Sequence, residues 1–289
     1  MKKQMHFGVI GGDMRQVKLA QLLAEDGHLV HTFGLEQLPE PLGVPQADTL
    51  DQALSAHYVI LPLPMCNESN INMPFGSEAC SVERLMAALR PEQIICAGMV
   101  SDELVKRAAA CGLTFHDYFA REELAVANAV PTVEGALQIA MEETPYTIHG
   151  ARTLVIGYGR LGKMLATRLS ALGAHVSVSA RKYSDLAWIE SIGCQAERTD
   201  TLDSRLYSYD LIFNTVPARV LDETQLKKLA PGCLCIDLAS RPGGIDFETA
   251  ARLGVKAIWA LSLPGKVAPV TAGKAIRDTI YNILQELGV

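Results

Sequence analysis

The sequence predicts an α/β protein: two Rossmann-like parallel-sheet domains facing each other across a cleft and linked by long helices. Three observations carry that expectation. Short apolar runs alternate with amphipathic helical stretches along the whole chain, the order that yields parallel sheets covered by helices on both faces. The length, 289 residues, is that of two domains of about 150 residues each. A glycine-rich turn sits mid-chain, between a β-branched apolar run and a helical pattern.

Residues 1–120 are expected to form the first α/β domain. Residues 5–10 read as a strand, and 15–25 as a helix with Val17, Leu19, Leu22 and Leu23 on its apolar side. Leu29–Phe33 reads as the second strand, and 58–61, 93–97 and 113–116 as further ones. Helices at 81–89 and 102–111 separate the last three, with Ser81 and Asp102 suited to N-caps. Residues 62–79 hold Pro, Asn, Ser and Gly with few apolar anchors and read as a long loop over the C-terminal end of a strand. Linker helices are expected over 121–150, interrupted near Pro131, with Thr132 able to cap the second of them. Residues 151–270 then show six strand positions, at Thr153, Val176, Gln195, Leu211, Leu234 and Lys256, the number in a full dinucleotide-binding domain. A final helix over 271–287 is expected to return to the first domain, so that residues 271–289 belong with 1–120.

The mid-chain turn is the most informative stretch. Thr153-Leu154-Val155-Ile156 leads into Gly157-Tyr158-Gly159-Arg160-Leu161-Gly162, which opens a helix patterned by Leu161, Leu165, Leu169 and Leu172. In a G-x-G-x-x-G turn the first glycine permits the tight strand-to-helix turn. The second lets backbone approach a pyrophosphate, and the third lets the helix pack close to the strand. The helix N-terminus then offers unpaired N–H groups to the phosphates. The alternative is an unliganded βα turn. The next strand selects the cofactor. An NAD site places an acid about 20 residues past the glycines to bind the ribose hydroxyls. Here His175-Val176-Ser177-Val178-Ser179-Ala180 runs into Arg181-Lys182 with no acid. Ser179, Arg181 and Lys182 suit a 2′-phosphate, so NADP(H) is expected over NAD(H); the plain alternative is a solvated basic loop. Asn214-Thr215-Val216-Pro217, after the fourth strand, and Asp237-Leu238-Ala239, after the fifth, are expected beside the nicotinamide half. Arg241, in the next turn, is either a substrate-carboxylate clamp or a turn residue in water.

Composition narrows the class. The chain is 49% hydrophobic and 20% charged, with a formal net charge of −6. It lacks a basic stripe, which argues against a nucleic acid as main partner. No apolar run reaches about 18 residues, so no membrane span is expected. The segment from Met1 to His6 has no signal h-region. Cys66, Cys80, Cys96, Cys111, Cys194, Cys233 and Cys235 are scattered and form no C-x-x-C, which points to reduced thiols in a cytosol and to no metal site.

Candidate substrate residues lie in the first domain and the connections. Gly11-Gly12-Asp13-Met14-Arg15 places two glycines at a helix N-terminus, an anion-friendly nest without the spacing for a second dinucleotide. Arg15 is positioned to hold a carboxylate, and Asp13 either takes part or caps the helix. Lys266, in Pro264-Gly265-Lys266, is a cation on a loop. Asn128, Thr132 and Glu134 lie on the connecting helices; Glu134 is a candidate base or the partner of Thr132 in a capping box. Of the seven histidines only His116, at a strand's end, is placed for proton transfer, and a structural role competes with that reading.

Gly11-Gly12-Asp13-x-Arg15, Asn128-x-x-Pro131-Thr132-x-Glu134-Gly135-Ala136, the glycine turn, and Leu263-Pro264-Gly265-Lys266-Val267-Ala268-Pro269-x-Thr271-Ala272-Gly273 together resemble the dipicolinate synthase A-chain family, over essentially the whole chain and in the same order. The resemblance implies a spore-forming bacterium, synthesis of pyridine-2,6-dicarboxylate in the mother-cell cytoplasm, and a second, flavoprotein-like subunit, the dipicolinate synthase B chain. It implies a small dicarboxylate substrate from the lysine pathway, a dihydro- or hydroxytetrahydrodipicolinate, and a homo- or hetero-oligomer. The residue reading agrees in offering Arg15, Lys266 and Arg241 as cations beside an NADP site, with Glu134, His116 or water as base. A broader relative is the 2-hydroxy-acid dehydrogenase group, whose arginine segment 240–246 resembles. That group needs a histidine in its last loop, and residues 266–273 have none. A third reading is a non-catalytic NADP-binding subunit of a heteromeric synthase.

Overall fold

The computed structural model describes residues 4–289; Met1, Lys2 and Lys3, part of the stretch read as lacking a signal segment, lie outside the described residues. Two compact units divide the chain. One comprises the residues up to Asn128 together with Pro264–Val289, the other Ala129–Leu263.

The first unit runs β1 His6–Ile10, α1 Met14–Glu25, β2 Leu29–Phe33, α2 Leu50–Ala53, β3 Tyr58–Ile60, the hairpin β4 Cys66–Asn67 with β5 Asn70–Ile71, α3 Val82–Ala88, β6 Ile94–Ala97, α4 Asp102–Ala110 and β7 Phe115–Asp117. Its sheet has the order β2-β1-β3-β6-β7, and every pairing is parallel. Strand alternation sorts the core onto two faces. Phe7 and Val9 point to one, with Val17, Leu19 and Leu23; Ile10 and Val59 point to the other, with Leu54 and Leu85. The cap of α4 is Ser101, not Asp102, because the Ser101 hydroxyl accepts the Leu104 N–H. The segment expected as a plain loop over 62–79 carries the β4–β5 hairpin.

Pro131 does not interrupt the connection. α5 is one helix, Glu122–Glu143, with Pro131 buried inside it. An internal proline costs about 3 kcal/mol, and burial of Leu124, Ala129, Val133, Ala136 and Ala140 along the same helix outweighs it. With no helix start at Thr132, neither a cap there nor a capping box with Glu134 exists. α5 is also long and apolar enough to cross a membrane by length and composition alone, with 44% of its most apolar window buried inside the protein.

The second unit runs β8 Arg152–Ile156, α6 Arg160–Ala171, β9 His175–Ala180, α7 Tyr183–Ser191, β10 Gln195–Arg198, β11 Leu211–Asn214, α8 Glu223–Leu226, β12 Leu234–Asp237, α9 Phe247–Arg252 and β13 Lys256–Trp259. All pairings are parallel, in the order β10-β9-β8-β11-β12-β13. Counted within the unit this is 3-2-1-4-5-6, the doubly wound order whose switch point lies between β8 and β11. Ligands of such sheets bind outside the carboxyl ends of the strands at that point. The chain then forms α10 Leu263–Val267 and α11 Pro269–Glu286. Residues 264–266 are therefore a helical turn and not a loop. Within the first unit α11 lies on α1 at closest approach where Gly273 faces it; a Cβ there would stand 2.9 Å from the Arg15 carbonyl oxygen.

Candidate functional site

The glycine turn of the second unit is built as its sequence requires, and each glycine does separate work. Gly157 has φ +99°, and a Cβ on it would fall 2.5 Å from Thr215 Oγ1. A Cβ on Gly162 would fall 2.0 Å from the Gly157 carbonyl oxygen, so only glycine lets α6 sit so close to β8. Gly159 differs: a Cβ there meets nothing within 4 Å. It is the N-cap of α6 and has no side chain to cap it. Open space in front of an uncapped helix N-terminus is the cradle a pyrophosphate fills, and these residues fit a dinucleotide. Thr215 Oγ1 donates to the Ile156 carbonyl and braces the turn, with Val216 half-buried and Pro217 exposed next to it. Tyr158 and Leu161 are half-buried and Arg160 is exposed. Lys163 lies over the Tyr158 ring, 5.3 Å from its centroid.

At the end of β9, Arg181 and Lys182 are exposed and form no ion pair with a described residue. Ser179, expected to meet a 2′-phosphate, is fully buried instead, its hydroxyl 3.4 Å from Thr199 Oγ1. Ser179 is the next-to-last residue of β9, and its side chain stands on a covered face of the sheet.

Asn214 and Asp237 are likewise engaged inside the protein rather than open to a cofactor. Asp237 is completely buried. Its Oδ1 accepts from Asn214 Nδ2 at 2.8 Å and Ala239 N at 3.0 Å, and its Oδ2 from Gly244 N at 2.7 Å and Ile245 N at 3.2 Å. Asn214 also bonds both backbone groups of Val216. Together they lock the turn that carries Arg241, which is exposed and unpaired among the described residues. Leu238 and Ala239 are buried, and the Ala239 carbonyl accepts the Trp259 indole N–H.

In the first unit the two most specific sequence motifs come together. Gly11 and Gly12 take φ +54° and +92°. Asp13 caps α1 by accepting the Arg15 N–H. Arg15, expected to grip a substrate carboxylate, is 7% exposed. Its Nε and Nη2 hold the Asp13 carboxylate at 2.9 and 2.8 Å, and Nη2 also donates to the Leu63 carbonyl at 2.7 Å. That guanidinium ties three chain segments, because Gly265 of α10 packs on the same pair; a Cβ on it would stand 3.0 Å from Asp13 Oδ2. Next to Gly265, Lys266 is exposed and unpaired among the described residues. Leu63 leads to Gly98, where a Cβ would stand 2.8 Å from both Leu63 and the buried Tyr118 ring, whose hydroxyl donates to the Leu61 carbonyl. Asp117 accepts the N–H groups of Met99, Val100 and Phe119. His116, beside Asp117 on β7, is half-buried, and burial lowers its imidazole pKa below the usual value.

On α5, Asn128 ends the first unit and Thr132 stands one turn on in the second; both are half-buried and engaged. Glu134 is exposed and 4.0 Å from Arg168 of α6, a surface ion pair. Four positions carry no signal in the sequence: Leu63, Tyr118, Thr199 and Arg198. Leu63, Tyr118 and Thr199 meet partners distant along the chain, and Arg198 lies over Tyr183, fifteen positions before it, so no local pattern marks them. Among the described residues no cluster of three metal-ligating side chains occurs.

Known proteins match both units. A family model described as the N-terminal domain of the dipicolinate synthase A subunit matches residues 6–119. Another, the NAD binding domain of D-isomer specific 2-hydroxyacid dehydrogenases, matches residues 131–248. The dipicolinate synthase A chain of Bacillus subtilis (strain 168) is 34% identical over 287 residues, 98% of this chain and 97% of that protein. The crystal structure of the dipicolinate synthase A chain from Bacillus subtilis superposes with a TM-score of 0.86 over 100% of this chain and 98% of that one, at 34% identity. That of the A chain from Bacillus halodurans gives 0.86 over 97% of each chain, at 31% identity. A transhydrogenase from Sinorhizobium meliloti shares the fold alone, with a TM-score of 0.69 at 16% identity over 96% of this chain and 94% of that one. The second unit is thus a nicotinamide-dinucleotide-binding dehydrogenase domain, and whole-length similarity extends through both units. The chain belongs to the dipicolinate synthase A-chain family.

Proposed function

We propose that this chain is the NADP-dependent oxidoreductase subunit of a dipicolinate synthase, oxidising dihydrodipicolinate, or its hydroxytetrahydro precursor once that has lost water, to pyridine-2,6-dicarboxylate. The observation that carries the reading is the pairing of an open cradle at Gly159 with two unpaired cations, Arg181 and Lys182, at the end of β9. Along the sequence from Gly159 to Lys182 no acid occurs at the position that would hold ribose hydroxyls. The relatives named as dipicolinate synthase A chains, similar over the whole length, support the substrate class.

A dicarboxylate needs cations that are not already neutralised. Arg241 and Lys266 meet that condition; Arg15 does not, and we assign it to holding Asp13, Leu63 and α10 in place so that Lys266 and the Gly12 nest are presented. A nicotinamide dinucleotide held at the glycine turn would supply the hydride acceptor. The ring also loses a proton, and of the candidate bases, Glu134, His116 and water, His116 is the fittest because burial holds it neutral. Aromatisation drives the step, so positioning and charge recognition are what the protein must supply. A second subunit, implied by the A-chain name of the relatives, completes the synthase in the cytoplasm of a sporulating mother cell.

Replacing Arg181 with Asp removes charge-assisted hydrogen bonds worth about 1.5–3 kcal/mol, or roughly 10- to 150-fold in affinity. We expect that loss for NADPH and less than roughly threefold for NADH, read by nicotinamide fluorescence titration. Equal losses for the two would remove the NADP assignment. A general base must be deprotonated, and the His116 pKa lies below 6.5. kcat/KM should therefore hold near neutral pH and fall as pH drops through that lowered value. In His116→Asn this acidic limb should vanish along with most of the rate; an unchanged limb would exclude His116.

A further inference from the structure

The strand beside β9 ends in a cation outside the glycine turn. Arg198 is the last residue of β10, and the parallel register sets it against Ala180, the last of β9, one position before Arg181. Its guanidinium lies over the ring of Tyr183, 4.9 Å from the centroid. Tyr183 is the first residue of α7, directly after Arg181 and Lys182. Nε and Nη2 of Arg198 donate to the two oxygens of Asp200 at 2.9 and 2.6 Å. Nη1 is buried and has no hydrogen-bond partner among the described residues. A guanidinium N–H held out of water with no acceptor is a rare arrangement that a bound anion relieves.

We propose that Arg198 is a specificity-determining contact for the nucleotide's 2′-phosphate, a third cation beside Arg181 and Lys182. The proposal rests on the nucleotide reading above and deepens it. Arginine suits the role. Its planar fork is pre-oriented by stacking on Tyr183, so little rotamer freedom is lost when a phosphate arrives, and its donors match phosphate oxygens in pairs. Asp200 balances the guanidinium charge and opposes an incoming dianion. The guanidinium still attracts a charged 2′-phosphate more than a neutral ribose hydroxyl. The competing reading is that Arg198 only holds Tyr183 and Asp200 in place, which affects both nucleotides alike.

Fluorescence titration of the full chain with NADPH and NADH, supported by competition with 2′-AMP and 5′-AMP, separates the two. In Arg198→Gln the Kd for NADPH and 2′-AMP should rise roughly tenfold, while NADH and 5′-AMP change less than about twofold. Arg198→Lys should recover part of the loss, and Asp200→Asn should tighten NADPH alone. Melting temperature of each variant checks the fold. Equal changes for both nucleotides in Arg198→Gln, or none, overturn the proposal. If Arg181→Asp still discriminates in that case, the NADP assignment survives. If Arg181→Asp discriminates no better, assignment and proposal fall together.

Discussion

A chain with Asp in place of Gly159 should fold at normal stability and bind no nicotinamide dinucleotide. Folding is undisturbed because the added Cβ meets nothing within 4 Å and the backbone there, φ −81°, is open to any residue. Asp at an N-cap even accepts an orphan N–H of the first helical turn, a gain over glycine of about a few tenths of a kcal/mol. The melting temperature should stay level or rise by about a degree, at about 2–4 °C per kcal/mol for a domain of this size. Binding is lost because the carboxylate takes both the donors and the space that the pyrophosphate requires, and adds like charge at contact distance. We expect calorimetric affinity for NADPH and NADH to fall more than about 100-fold, the loss of two or more charge-assisted contacts. The neighbouring glycines behave oppositely. Gly157→Ala meets a positive φ and Thr215, and Gly162→Ala meets the Gly157 carbonyl, so both lose the fold together with the ligand. Unaltered nucleotide affinity in a well-folded Gly159→Asp chain would move the site away from this turn.

The contrast among the three glycines between β8 and α6 explains what a sequence can carry. Their requirement is local: a strand, a tight turn and a helix in one short stretch, readable without knowing the rest of the fold. The strands of the second unit are legible for a similar reason. Leu154, Ile156, Ile212 and Cys235 are buried in a sheet covered on both faces, so they stand in near-continuous apolar runs. The hairpin Cys66–Asn67 with Asn70–Ile71 and the four-residue helix Leu50–Ala53 are too short to display a period. Pro131 misleads because its local preference is overridden by the burial of α5, a tertiary effect. The same distinction governs the site. Arg15 looks free in the sequence because Asp13, two residues before it, reads as a helix cap and the Leu63 carbonyl, its other acceptor, lies 48 residues away. Ser179 and Arg198 exchange significance only once the β9–β10 register is known. Charged and polar residues at strand ends are thus identified by sequence as candidates, while pairing decides which of them face a ligand.

Asp237 shows the largest consequence of such hidden pairing, and replacing it with Ala should cost about 3–5 kcal/mol of stability, the range for stripping partners from buried polar groups. The carboxylate is wholly buried and accepts four hydrogen bonds, three from backbone N–H groups at 239, 244 and 245 and one from Asn214 Nδ2. Ala leaves the three backbone N–H groups without that acceptor and opens a void beside them. Asp237→Asn tests the cause more sharply. It keeps the volume, yet one oxygen becomes an NH2 group facing donors, so the bonds to that oxygen are lost and replaced by repulsion. Its cost should approach that of Ala, whereas a role in filling space alone would leave Asn nearly neutral. Urea unfolding followed by circular dichroism measures both. Because the same carboxylate fixes the turn bearing Arg241, each variant should also weaken dicarboxylate binding in the fraction that remains folded. Arg241→Ala supplies the control: the side chain is exposed and unpaired among the described residues, so stability should stay within about 0.5 kcal/mol while substrate KM rises. A loss below about 1 kcal/mol in Asp237→Ala would mean that the turn is held by something other than this carboxylate.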